Sequence, residues 1–322
     1  MQVLNNSFNA GLGCGALFCS GGGGLFDQNL VRNHAGAAIA GVVVKDLGTS
    51  PKIGNSDVRQ RIETAIRKNV AAAIHSCSTA HAAAWSSTET LCKDAVVTVT
   101  QHEEASGSSF VDNSVGILVA QNSSPVIGGN EFVGNEIGVS CQALLNDGLQ
   151  IAGNAFLATH VADSGAVKAL ADAVQEKGDH SKLMTGVAFR QCHLSDVCTQ
   201  GNIFFGLGVG MHSELSAVTL FENMFVLCEI GARCAGQDHP SNRLTITLAR
   251  NVLMNATTGI RAHRLSSDGN AVALVASATT VRRIALPLGT DEHVFCLWLT
   301  HSLSCCARYR KRPDPPQPSS PS

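Results

Sequence analysis

The chain has 322 residues, 44% hydrophobic and 15% charged, which is enough to bury one large core or two ordinary ones and excludes a disordered chain. A net charge of -2 excludes nucleic-acid binding through bulk charge. Twelve Cys follow an opening, Met1-Gln2-Val3-Leu4-Asn5-Asn6, with neither a basic start nor an apolar run, so reduced thiols in the cytoplasm are expected rather than a secreted disulfide framework.

The first element met along the chain is a repeat unit: Asn, any residue, an apolar residue, then a Gly about eight positions after the Asn, followed by another apolar residue. It opens at Asn6-Ser7-Phe8 with Gly13 and returns at Asn29-Leu30-Val31 with Gly36. The Gly-rich runs Gly11–Gly15 and Gly21–Gly24 fall at corners of these units. Neither precedes a helical pattern or a Lys-Ser/Thr pair, which excludes a phosphate-binding loop. An insertion of about residues 45–105 comes next. Asn55 or Ser56 caps a helix through about Ser76, with Val58, Ile62, Ala65, Ile66 and Val70 on one face.

The unit resumes at Ser108-Ser109-Phe110 with Gly116, where Ser replaces the Asn, and at Asn130-Glu131-Phe132 with Gly138. Asn154-Ala155-Phe156 follows, with Gly165 three positions late. A second insertion, 164–182, reads as a short helix around Val167, Leu170, Ala171 and Val174. Both insertions are expected to leave at corners, as surface decoration first and as a lid or partner contact second. Three regular units then follow: Asn202-Ile203-Phe204 with Gly210, Asn223-Met224-Phe225 with Gly231, and Asn251-Val252-Leu253 with Gly259.

After His263 the register fades, and Val272–Ala276 with Val281–Leu286 reads as a last irregular coil. Val294–Ala307 is apolar but too short to span a membrane, which takes about 20 residues. Cys305 and Cys306 precede the basic run Arg308–Arg312, a weak acylation signal; a capping strand with a solvated tail is preferred to a membrane anchor. The Pro/Ser-rich end, Pro313–Ser322, is expected to be disordered.

Unit starts lie 21 to 28 residues apart except across the insertions. Leucine-rich repeats share that period but need a Leu-x-x-Leu-x-Leu pattern, which is absent. Apolar sites before the Asn, after it and after the Gly give three short strands per coil, and no coil can bury its apolar face alone. The spacing predicts an all-β solenoid, a single-stranded right-handed parallel β-helix of about eight coils with two inserted helical segments. It occupies residues 1–290, and 291–322 form the apolar, basic and Pro/Ser-rich end. Asn130, Asn154, Asn202, Asn223 and Asn251 are expected to stack as a structural ladder and to take the left-handed backbone of a sharp bend. Phe132, Phe156, Phe204, Phe225 and Leu253 are expected to stack inside. Residue 3 already lies in the repeat, so a fragment, or a chain that docks at this uncapped end, is expected.

These Asn-x-Phe…Gly-apolar units resemble the right-handed parallel β-helix repeats grouped as carbohydrate-binding and sugar-hydrolysis domains, of pectin-lyase-like fold. Relatives include pectate lyases and polygalacturonases, a periplasmic protein of nitrous-oxide-reductase copper maturation, and the β-helix regions of an F-box protein and an SHC-binding protein. The resemblance covers most of residues 3–263. It implies the fold, and it implies either sugar cleavage or partner recognition.

Sugar cleavage needs clustered carboxylates with a basic residue. Asn-Thr-Asp, Asp-Asp and Arg-Ile-Lys tripeptides are absent, and Asp27, Asp112, Asp147, Asp163 and Asp196 fall at different phases and are not expected to converge. The pairs Cys14/Cys19, Cys192/Cys198 and Cys228/Cys234 fit no zinc spacing. No catalytic residue, metal or cofactor is therefore expected. The leading expectation is a non-catalytic recognition or scaffold module that binds a protein partner, or a glycan, along a face of stacked side chains. The alternative is a carbohydrate-active lyase or hydrolase of pectin-lyase-like fold. Two positions after the motif Gly the side chain should face out. In the last three regular units this phase holds His212, Arg233 and Arg261, a basic strip with Ser140 further along. Cys141 and Cys234, one position beyond that phase, should point inward.

Overall fold

Strands of two to eight residues, broken by tight corners, bury apolar surface only by lying on copies of themselves. The computed structural model describes residues 1–11, 13–35, 39–79, 107–145, 147–158, 184–235, 245–254, 258–263, 273–277 and 280–281. They form a parallel β-solenoid in which each turn of chain adds one strand to each of three sheets. Among the described residues the first sheet has nine strands, from Gln2–Leu4 to Ala273–Ser277, and the second has nine, from Ser7–Asn9 to Thr280–Val281. The third has eight, from Ala16–Phe18 to Thr258–His263.

The corner between the first and second sheets carries the Asn column. Asn154 Oδ1 accepts from the Asn130 backbone N–H and Nδ2, both at 3.1 Å. Asn202, Asn223 and Asn251 repeat this on the coil before each of them. The second amide proton of each donates to a strand carbonyl of the preceding coil, as from Asn154 Nδ2 to Ile127 O at 3.0 Å. Ser108 keeps only the acceptor role, with its Oγ 3.2 Å from the Asn29 N–H. Beside this column Phe110, Phe132, Phe156, Phe204 and Phe225 stack face to face, with ring centroids 4.7–4.9 Å apart. Leu253 continues the column in register with Phe225.

Four expectations are corrected. The ladder Asn residues do not take the left-handed backbone. The residue before each does: Gly129, Gly153, Gly201, Glu222 and Arg250 all have positive φ. The bend is thus made one residue early, and the Asn amide lies along the stack. The motif Gly takes no left-handed backbone at Gly116, Gly138 or Gly210. It is needed for space: a Cβ on Gly138 would sit 2.6 Å from a Phe156 ring carbon and 2.7 Å from the Gly186 carbonyl oxygen. By register the Gly positions of the irregular coils are Gly15, Gly41 and Gly186, not Gly13, Gly36 and Gly165. The loop between the second and third sheets varies in length there, so a fixed spacing picked the wrong glycine.

The first insertion is also shorter than about 45–105. Lys52–Ile53 is a regular strand paired with Leu25–Phe26 on one side and Val126–Ile127 on the other. The solenoid is left at Gly54 and is rejoined by Gly107, whose N–H donates to the Gly129 carbonyl. The second insertion, the predicted helix within it, and the segment 291–322 with Cys305 and Cys306 lie outside the described residues.

The helix Ser56–Thr79 is more than surface decoration. Asn55 Oδ1 caps it through the Asp57 N–H at 2.9 Å, and Val58, Ile62 and Ile66 are buried. It runs along the stack, meeting one coil per helical turn. Asn55 O lies where a Cβ of Gly129 would be, Arg59 where that of Gly153 would be, and Glu63 where that of Gly201 would be. The next coil presents Glu222 at this corner, buried and paired with Arg67 at 2.9 Å and Arg250 at 3.2 Å.

A second, shorter ladder lies at the corner after the second sheet. Asn113 Oδ1 accepts from the His34 N–H at 3.0 Å. Asn135 Oδ1 accepts from the Asn113 N–H at 3.0 Å and Nδ2 at 2.9 Å. In a later coil the Cys228 thiol takes the donor role, pointing at the Phe204 carbonyl at 3.5 Å.

Candidate binding face

Each strand of the third sheet points two columns of side chains into the core. One runs through Val42, Ile117, Val139, Val187, Met211 and Ala232, the other through Val44, Val119, Cys141, Phe189, Ser213 and Cys234, and all are buried. The column between them must face out. It reads Leu17, Val43, Leu118, Ser140, Ala188, His212, Arg233 and Arg261 in unbroken register. The basic strip of the sequence reading therefore falls on three adjacent strands. The Arg261 side chain lies outside the described residues.

Two features depart from the expected strip. Ser140 lies further along the same column, beyond Ala188, but is buried rather than exposed. Its Oγ accepts from Gln142 Nε2 at 3.2 Å. His212 is half-buried, and that burial, with Arg233 alongside, holds its pKa below the ordinary imidazole value. Glu214 pulls it up and Arg190 pushes it down, both more weakly. At pH 7 His212 is thus a neutral hydrogen-bonding group, and the positive charge of the strip rests on its arginines. Arg190 and Glu214, paired at 2.9 Å one column over, form a flanking ion pair that sequence reasoning missed. Both sit four positions after a motif Gly, so the signal was present once Gly186 is the reference.

Neither a protein-family model, nor a curated protein, nor a solved structure matches this chain.

The remaining candidate chemistry is dispersed. Asp147 and Asp196 meet at one carboxylate: the Asp196 backbone N–H donates to Asp147 Oδ1 at 3.3 Å. A bulge in the strand His193–Gln200, where the register shifts between His193 and Thr199, brings them there. Asp27 ends a first-sheet strand, and Asp112 is at the corner after the second sheet, against Gly134. Asp163 lies outside the described residues. Among the described residues no three His, Cys, Asp or Glu side chains gather as metal ligands would, and no helix is long and apolar enough to cross a membrane. The interior thiols Cys141, Cys192, Cys198, Cys228 and Cys234 are unpaired. Burial pushes Cys198, Cys228 and Cys234 up to about 12 and Cys141 well above its ordinary value, so they behave as small apolar groups.

Proposed function

We propose that this chain is a non-catalytic recognition module, a right-handed parallel β-helix that binds an anionic partner on the outward face of its third sheet. The observation that carries the reading is the register of Arg233 with Arg261, next to His212. Parallel strands about 4.8 Å apart set two guanidinium-bearing positions side by side on a rigid sheet. Arginine there can hold carboxylates bidentately, which lysine cannot copy. Neutral His212 adds a donor or acceptor without further charge repulsion. Buried, unpaired thiols support work in a reducing compartment such as the cytoplasm.

The test is the double variant Arg233→Ala/Arg261→Ala, with polyglutamate and a polyuronate as probes at low salt. Binding of at least one probe to the unsubstituted chain, weakened tenfold or more in the double variant with an unchanged melting temperature, is the expected result. Unaltered binding by the folded double variant overturns the reading. Cleavage of the polyuronate would transfer it to the sugar-cleaving alternative.

A further inference from the structure

The outward column of the third sheet is graded along the stack. At one end stand Leu17, Val43 and Leu118; Leu17 is 48% exposed and the other two are half-buried. At the other end stand His212, Arg233 and Arg261, with two small residues between. Adjacent outward leucines and valine on a strand face are a partly exposed apolar patch of the kind found on contact surfaces. A polyanion alone satisfies only the basic half. An anionic glycan offers the other half hydroxyls and ring C–H groups, which pack best on aromatic faces, and no aromatic residue stands in this column.

We infer that the partner is an amphipathic helix lying along the stack, with apolar side chains over Leu17, Val43 and Leu118 and carboxylates over His212, Arg233 and Arg261. This rests on the proposed function and deepens it. The molecule holds a precedent: the helix Ser56–Thr79 lies along the same stack on a corner, one helical turn per coil, and Arg67 reaches a carboxylate of the coil beneath. A helix presents residues i and i+4 on one side about 6 Å apart, near the coil spacing of about 4.8 Å. An extended strand presents same-side residues about 6.8 Å apart and falls out of step sooner. The column spans roughly 34 Å over its seven strand steps, the length of a helix of about 22 residues. Recognition is then by apolar anchors at helical spacing plus charge-assisted hydrogen bonds at one end.

The experiment uses the full chain and two synthetic 22-residue helical peptides of identical composition. One carries Leu at three i, i+4 positions in its first half and Glu at three in its second; the other interleaves them. Fluorescence anisotropy is expected to give at least tenfold tighter binding for the segregated peptide. Leu118→Asp is expected to remove that advantage, and Leu17→Ser, at the more exposed end of the column, to reduce it, with polyglutamate binding unchanged in both. Equal affinity for the two peptides, or indifference to both substitutions in folded protein, overturns the helix. If polyglutamate binding still depends on Arg233 and Arg261 in that case, the proposed function stands and only this inference falls. Failure of the peptides, polyglutamate and the polyuronate alike overturns both.

Discussion

Replacing Asn202 by Ala removes four hydrogen bonds: two that its Oδ1 accepts from Asn154 at 3.0 Å, and two that its Nδ2 donates, to the Ile151 carbonyl at 2.8 Å and to Asn223 Oδ1 at 2.9 Å. Asn223 Oδ1 still accepts from the Asn202 backbone at 3.1 Å, so the loss falls chiefly on the Asn154 N–H, one of its amide protons and the Ile151 carbonyl. All of these residues are buried, and a buried polar group without a partner costs about 1–3 kcal/mol. Allowing for partial relaxation, Asn202→Ala should destabilise by roughly 3–6 kcal/mol, much of an ordinary fold's stability of about 5–15 kcal/mol. Asn202→Ser should cost about half as much, because Ser108 shows that a hydroxyl can keep the acceptor half of the contact. Urea denaturation of both variants measures this. Hydrogen exchange at Asn154 supplements it, since solenoids can open in parts. An Ala variant within about 1 kcal/mol of the parent, or a Ser variant as damaged as the Ala one, would refute the ladder as a source of stability.

Two further outcomes follow from the core. Gly186→Ala should destabilise by about 1–3 kcal/mol, because the new methyl meets the Phe204 ring and lies 2.6 Å from the Gly210 carbonyl oxygen; the larger cavity of Phe204→Ala should cost about 3–5 kcal/mol, and thermal melts compare the two. In the native state Cys14, which is exposed, should react with a thiol reagent at once, while Cys141, Cys198, Cys228 and Cys234 should react only as fast as the fold opens. The fold holds Cys198, Cys228 and Cys234 protonated up to about pH 12, whereas in the unfolded chain they ionise near pH 9. Their contribution is therefore intact below about pH 9 and declines above it, by up to about 1.4 kcal/mol per thiol per pH unit. A urea midpoint unchanged between pH 8 and 10 would contradict this.

The Asn-x-Phe register was legible because side-chain amides and rings stack best on their own kind. Asn130, Asn154, Asn202 and Asn223 keep one spacing from their phenylalanines, and Asn251 from Leu253, whatever the loops do. The glycines were less legible, because the loops before Gly41 and Gly186 differ in length and only strand pairing identifies the residue facing a ring. The second ladder was hidden because it has two Asn, with His34 before them and Cys228 in a later coil, too few for a repeat. The apolar face of the inserted helix was read correctly, but its track was not. Gly129, Gly153 and Gly201 look like ordinary corner glycines until a helix is laid across them. On the candidate face the phase of His212, Arg233 and Arg261 followed from alternation. The neutrality of His212 did not, because it arises from burial and from an arginine on the neighbouring coil.

The helix across the glycine track also restricts how such a chain can be lengthened. A segment such as Asn130–Gly153 carries one strand of each sheet except where the coil crosses a loop, and its Asn both accepts and donates along the ladder in a fixed sense. Tandem duplication of a whole coil therefore preserves every contact within the stack. Under the helix it would not. Arg67 reaches Glu222 because three coils, at Gly129, Gly153 and Gly201, intervene between the cap and that carboxylate. An extra coil there would carry Glu222 about 4.8 Å beyond its arginine. Copy-number change is thus tolerated outside the strapped coils and penalised beneath them, and the inserted helix acts as a gauge of how many coils that part of the solenoid contains.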